Sequence, residues 1–278
     1  MLFNKLGLAF TFSPNALALL KIAHRLQKLF QSELFIIHAG ENSNEVHEKI
    51  IKVINEADIP DNSYEIIIRE GEASKIITNI CEEKKIDLLI SGALEKESLL
   101  KYYIGSVARK LMHESPCSIL VIVNPGNLLD SFKRFCVNVD YSQLNETAVK
   151  KAYEFAKLEN AKEFVLVREF QIPGLAITIY DGGETDKAEK TRMEIQKEEE
   201  EKLKIFSDEL GLTELEVKRV CLYGKQGWEI KQYAVNSNSD LLVLSSPQKK
   251  LKLFDKIFQH DIEFILNQLP CSLLIIRS

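Results

Sequence analysis

The chain repeats itself, and that repetition constrains its fold more than any single motif. Leu8-Ala9-Phe10-Thr11-Phe12-Ser13 returns as Val137-Asn138-Val139-Asp140-Tyr141-Ser142, a shift of 129. Asp87-Leu88-Leu89-Ile90-Ser91 returns as Asp240-Leu241-Leu242-Val243-Leu244, a shift of 153. Pro116-Cys117-Ser118-Ile119-Leu120 returns as Pro270-Cys271-Ser272-Leu273-Leu274, a shift of 154. Three landmarks in one order define two copies of one unit. The growing shift gives the second copy about 24 extra residues before its fourth strand. The turn formers Asn124-Pro125-Gly126-Asn127 set the boundary, giving domains of residues 1–126 and 127–278.

Within each copy, short apolar runs alternate with helical patterns. In the first, strands are expected over Gly7–Phe12, Leu34–Ala39, Tyr64–Arg69, Asp87–Gly92 and Ser118–Val123. Helices are expected over Ala16–Phe30, Glu45–Glu56, Ala73–Glu83 and Tyr103–His113. Ala16, Leu19, Leu20, Ala23, Leu26 and Leu29 recur at intervals of three and four, the stripe of a sheet-covering helix. Ile/Leu/Val strands joined by helices imply α/β architecture, with each sheet parallel and buried on both faces. Right-handed crossovers then make two tandem open five-stranded sheets, doubly wound. Ligands in such sheets sit beyond the carboxyl ends of the strands, where strand order reverses.

Of the 278 residues, 45% are hydrophobic and 28% charged, the profile of a soluble globular protein. A net charge of −5 argues against nucleic acid or an anionic membrane surface as partner. The longest apolar runs fall far short of the ~20 residues that a spanning helix needs. Met1-Leu2-Phe3-Asn4-Lys5 leads straight into a strand-like stretch without a signal-peptide pattern. Five scattered cysteines, with no CxxC spacing, read as reduced buried thiols in a cytoplasmic protein and not as metal ligands.

After its fourth strand the first copy reads Gly92-Ala93-Leu94-Glu95, then nine residues, then Gly105-Ser106. This resembles the glycine-rich loop of nucleotide-binding universal stress proteins: glycine, two residues, glycine, nine residues, glycine and a serine or threonine. Pro116-Cys117 followed by an apolar strand is similar to that family's ending, and the resemblance covers both copies. It implies an adenine-nucleotide alpha-hydrolase-like fold and a site for ATP or AMP, with Mg²⁺, at Gly92, Gly105, Ser106 and Val107. The aspartate that closes the first strand of nucleotide-binding members corresponds to Thr11 in the first copy and to Asp140 in the second. The small residue near the adenine corresponds to Ala39, after His38; the second copy carries Arg168-Glu169 there. Family members pair through their last strands, which implies that Ser118–Val123 and Ser272–Ile276 pair within the chain as an intramolecular pseudo-dimer, itself able to form a homodimer.

The chemistry of such a loop is backbone chemistry. Phosphate needs N–H groups at close range, and a Cβ holds it off. A helix beginning near Ser106 adds its unpaired N–H groups and the positive end of its dipole. Glu95 stands where the middle glycine belongs and brings both a side chain and a negative charge. The second copy has Ser245-Ser246-Pro247-Gln248 after its fourth strand, Gln259-His260 in place of Gly105-Ser106, and no glycine after Trp228. Lys249, Lys250 and Lys252 read as a solvated basic loop, and Glu198-Glu199-Glu200-Glu201 as the solvated face of a long helix through 184–210.

His24, His38, His47, His113 and His260 have no ligand-type partners at metal spacing and read as structural or surface residues. Tyr102-Tyr103 and Trp228 read as packing aromatics. No Walker, dinucleotide, nucleophile-elbow or zinc-protease signature occurs, so an enzyme is not expected. Two functions stand: a nucleotide-binding stress protein whose first copy holds the ligand, or a degenerate scaffold acting through dimerisation and a protein partner.

Overall fold

A computed structural model describes residues 2–96, 101–103, 105–127, 130–172, 185–246 and 264–277, with the backbone alone at 94–96, 101–103, 127 and 185–188. Its first half runs β1 (Lys5–Ala9), α1 (Ala16–Phe30), β2 (Glu33–Ala39), α2 (Asn44–Glu56), β3 (Glu65–Arg69), α3 (Ala73–Lys84) and β4 (Leu88–Gly92). A hairpin of β5 (Leu94–Lys96) and β6 (Lys101–Tyr103) follows, then α4 (Ser106–Glu114) and β7 (Ser118–Ile122). The second half comprises β8 (Arg134–Val139), α5 (Gln143–Leu158), β9 (Glu163–Phe170), α6 (Thr185–Glu209), β10 (Val217–Tyr223), α7 (Trp228–Asn236), β11 (Leu241–Ser245) and β12 (Ser272–Ile276).

The two five-stranded sheets are halves of one ten-stranded sheet, ordered β10-β9-β8-β11-β12-β7-β4-β1-β2-β3. Every pairing within a half is parallel; the seam between halves, β7 with β12, is antiparallel. Leu120 faces Leu274 there and Ile119 faces Ile275, so the expected pairing of the two last strands is found. Ser272 Oγ accepts the Val123 N–H, and Ser118 Oγ accepts the Arg277 N–H, each at 3.1 Å. The repeated Pro-Cys-Ser landmark is thus a pair of matched clasps closing the seam.

The repeated aspartates have an equally local reason. Asp87 accepts the N–H groups of Asn4 and Lys5 at 2.9 Å each. Asp240 accepts those of Lys133 and Arg134 at 2.7 and 2.8 Å. Each carboxylate satisfies the otherwise unpaired donors that open its half's first strand.

The halves also lock on one face of the sheet, where α1 meets α5. Phe30 and Phe155 stack edge to face at 5.0 Å, with Phe132 at 5.6 Å from Phe155. Arg25 Nη1 donates to both carboxylate oxygens of the buried Glu159, at 2.7 and 2.8 Å. All five cysteines are free; four are buried and Cys221 is half-buried.

Two boundaries differ from expectation by three residues. β1 stops at Ala9 because the chain turns over Thr11, whose carbonyl accepts the Ser13 N–H. α4 begins at Ser106 because residues 101–103 pair with 94–96 instead. Pro173, Gly182-Gly183, Lys249, Lys250, Lys252 and Gln259-His260 lie outside the described residues.

Candidate functional site

In the first half strand order reverses between β1 and β4, which sets the expected crevice beyond the carboxyl ends of these two strands. The register sets Ala9 level with Ile37 and Leu8 level with Ile90, so Thr11, two residues past the end of β1, comes level with Ala39, and Phe10 level with Gly92. Thr11 and Phe12 are exposed, and Ala39, Gly92 and Ala93 half-buried. Phe12 stands edge-on to the His38 ring at 5.1 Å, and the His38 ring also lies against Phe10. Gly40 gives that ring its room, since a Cβ there would sit 2.6 Å from His38 Nε2.

α4 opens beside this crevice. Gly105 is its N-cap in extended conformation, with no side-chain capping bond, and its first turn carries no acidic residue. Ser106 and Val107 are exposed. Gly92 closes β4 in register with Ile122. A Cβ on Gly92 would approach Leu19 Cδ1 to 2.7 Å, so a side chain there would have to displace the tip of Leu19 on α1. Glu95 enters the hairpin opposite Tyr102; the side chains of Glu95, Tyr102 and Tyr103 lie outside the described residues.

The same place in the second half is filled by the protein's own side chains. The Arg168 guanidinium lies over the Tyr141 ring at 4.8 Å, donates to Val139 O at 3.3 Å, and pairs with Glu199 of α6 at 2.9 Å. Tyr141 Oη donates to the Glu199 carbonyl at 3.4 Å. Tyr141 itself adopts φ 63°, a left-handed conformation costly for a bulky residue, and its ring packs on Phe206. Burial, then the Glu199 charge, raises the Tyr141 phenol above its ordinary range. Burial pushes the Glu199 carboxyl up, but hydrogen bonds from Lys202 and Arg168 outweigh it and leave it low.

Asp140 is likewise committed. Its Oδ1 accepts the Ser142 N–H at 2.8 Å and its Oδ2 the Ser245 hydroxyl at 3.4 Å. The fully buried Asn145 ties the cluster together, accepting the Asp140 N–H and donating to Asn138 O and Ser245 Oγ. At the corresponding positions the first half has Thr11, Ala16, Ala9 and Gly92, none of which can build such a cluster. Asp140 is separated from β1 by β11, β12, β7 and β4, so it does not join Thr11, Ala39 and Gly92 in one site.

Glu169 accepts the Gly227 and Ile230 N–H groups at 3.0 and 2.9 Å, an internal anion on the N-terminus of α7. Trp228, expected to pack, is 46% exposed in the first turn of that helix. Reading Glu198–Glu201 as one solvated face misses Glu199, which is buried while its three neighbours are exposed. Its signal is phase: Glu199, Leu203 and Phe206 share the helix face turned to the sheet.

A doubly wound α/β unit, duplicated and joined through its last strands, is the class these features define. The chain belongs to the universal stress protein family, whose model matches residues 39–123 and 131–277. It is 27% identical over 90 residues to a universal stress protein of Methanothermobacter thermautotrophicus, covering 32% of this chain and 61% of that protein. It is 26% identical over 147 residues to universal stress protein YxiE of Bacillus subtilis, covering 44% of this chain and 99% of that protein. The crystal structure of a universal stress protein from Archaeoglobus fulgidus superposes with a TM-score of 0.70 at 16% identity, covering 98% of both chains. That last likeness is one of fold. No helix among the described residues is long and apolar enough to cross a membrane.

Proposed function

We propose that this protein is a stress-response protein that binds one adenine nucleotide, ATP or AMP, in its first half and catalyses no dedicated reaction. The reading rests on one contrast. Beyond the strand ends of the first half stand small or exposed residues and a helix N-terminus without a side-chain cap. The equivalent place in the second half is occupied by Tyr141, Arg168 and Glu199.

In this reading Thr11, Ala39 and the aromatic pair Phe12–His38 flank the base and ribose. The backbone of Gly92 and Gly105, the Ser106 hydroxyl and the first-turn N–H groups of Ser106 and Val107 receive the phosphates, assisted by the helix dipole. Residues of this kind hold and orient a nucleotide, and hydrolysis is not part of the proposal. Mg²⁺ would accompany the phosphates as their own counter-ion. The second half, with Asp140 committed to its own backbone, serves as a structural partner.

Calorimetric titration of the purified chain with ATP and Mg²⁺ tests this. One site per chain is expected, abolished by Gly105→Val, whose side chain enters the phosphate position while the sheet keeps its circular dichroism. Absence of binding at millimolar nucleotide would refute the reading and favour a ligand-free scaffold acting through a protein partner, to which the β5–β6 hairpin in place of an open loop would then belong.

A further inference from the structure

The ten-stranded sheet has two outer edges, β3 and β10, and they are not alike. An exposed edge is a template for another strand unless charge guards it. β10 carries Lys218 and Arg219, both exposed, and no carboxylate within the strand. β3 reads Glu65-Ile66-Ile67-Ile68-Arg69, with opposite charges at its two ends and three isoleucines between. We propose that β3 is a dimerisation edge, along which two copies of this chain join antiparallel about a two-fold axis at Ile67.

β3 is complementary to itself. A two-fold at Ile67 sets Glu65 opposite Arg69 of the second copy, and the same contact recurs on the other side of the axis. Ile66 falls opposite Ile68 of the second copy, and both positions are only half-buried in the single chain. Glu65 and Arg69 project from the same face as Ile67, since side chains alternate along a strand. On that face Lys84 already pairs with Glu65 at 2.6 Å, and Glu83 with Arg69 at 2.5 Å. Across the join the row would therefore read Lys84, Glu65, then Arg69 and Glu83 of the second copy, strictly alternating in sign. β10 has no such register: Lys218 and Arg219 are paired within the chain to Glu163 and Asp208, and no two-fold within the strand sets an opposite charge against either. The central β7–β12 seam is the same kind of union, made within the chain.

Sedimentation velocity on the full chain, from about 1 to 100 µM, reads the outcome as a shift from monomer to dimer. The wild type should form a reversible dimer. Arg69→Glu and Glu65→Arg should each weaken it about tenfold, because like charges then face each other twice. The double variant, Glu65→Arg with Arg69→Glu, restores opposite charges across the axis and should dimerise more tightly than either single variant, though more weakly than wild type because Lys84 and Glu83 then face like charges within their own chain. Glu65 is exposed and Arg69 half-buried, and circular dichroism confirms that each variant is folded before comparison. A wild type still monomeric at about 100 µM overturns the proposal, as does a dimer indifferent to either single reversal or unrescued by the double one. Polymers that lengthen with concentration would mean that β3 joins β10 head to tail, and overturn it equally.

Discussion

Ser118 and Ser272 show how little side chain is needed to fasten two halves. Each hydroxyl accepts one N–H from the strand facing it, and each is essentially buried. Ser118→Ala or Ser272→Ala would leave a backbone donor in the core without an acceptor, a loss of about 1–3 kcal/mol. Denaturation in urea should show that loss for both variants, with Ser142→Ala, at an exposed helix cap, costing only about 1 kcal/mol. The repeat made these serines visible in the sequence as members of a landmark. Their role was not visible, because it depends on which strands meet. The same holds for Gly92. Sequence spacing marks it as a loop glycine, whereas Leu19, 73 positions earlier and on another element, is what crowds it.

Between elements, two buried glutamates respond oppositely to pH. Glu199 ties α6 to β9 through Arg168, and its ionisation is held below the ordinary glutamate value. Its contribution is complete above that ordinary value and is lost as pH falls through the depressed one. Glu159 ties α5 to α1; burial raises its ionisation above the ordinary value, against the opposing effect of Arg25. Its contribution is complete below the ordinary value and is lost as pH rises through the raised one. Wild type should therefore lose stability relative to Glu199→Gln on acidification, and gain relative to Glu159→Gln over the range just above ordinary glutamate ionisation. Urea midpoints across pH give both slopes, and parallel slopes would contradict this assignment.

At this scale the sequence was most legible in the helices of the first half. The apolar stripe of α1 coincides with its buried face, where Leu19, Leu20, Ala23 and Leu26 all point inward. It was least legible between Gly92 and Gly105. There a glycine-rich pattern reads as an open loop, while local antiparallel pairing draws residues 94–96 and 101–103 into a hairpin. The charged run in α6 misled in another way, since composition reports a solvated helix and only the helical phase reveals Glu199 as an inward residue.

For the whole molecule, duplication has produced halves with one architecture and two different crevices. The strand order is mirrored across the seam, so both switch points lie at equivalent places. In the second half a hydrogen-bonded cluster of Asp140, Asn145 and Ser245 and the stack of Arg168 on Tyr141 occupy that place. In the first, alanine, glycine and threonine stand at the cluster's positions, and the exposed Phe12 stands where Tyr141 folds inward. The tandem fold and the seam follow from three repeated landmarks. The closure of the second crevice does not, because it depends on α6, the longer counterpart of α2, and on the helical phase that turns Glu199 inward. Amide hydrogen exchange of the full chain, with and without saturating ATP and Mg²⁺, tests this asymmetry most directly. Slowed exchange is predicted at residues 11–12 and 105–108, with residues 140–142 and 168–169 unchanged; protection centred on the second half, or none at all, would contradict the account.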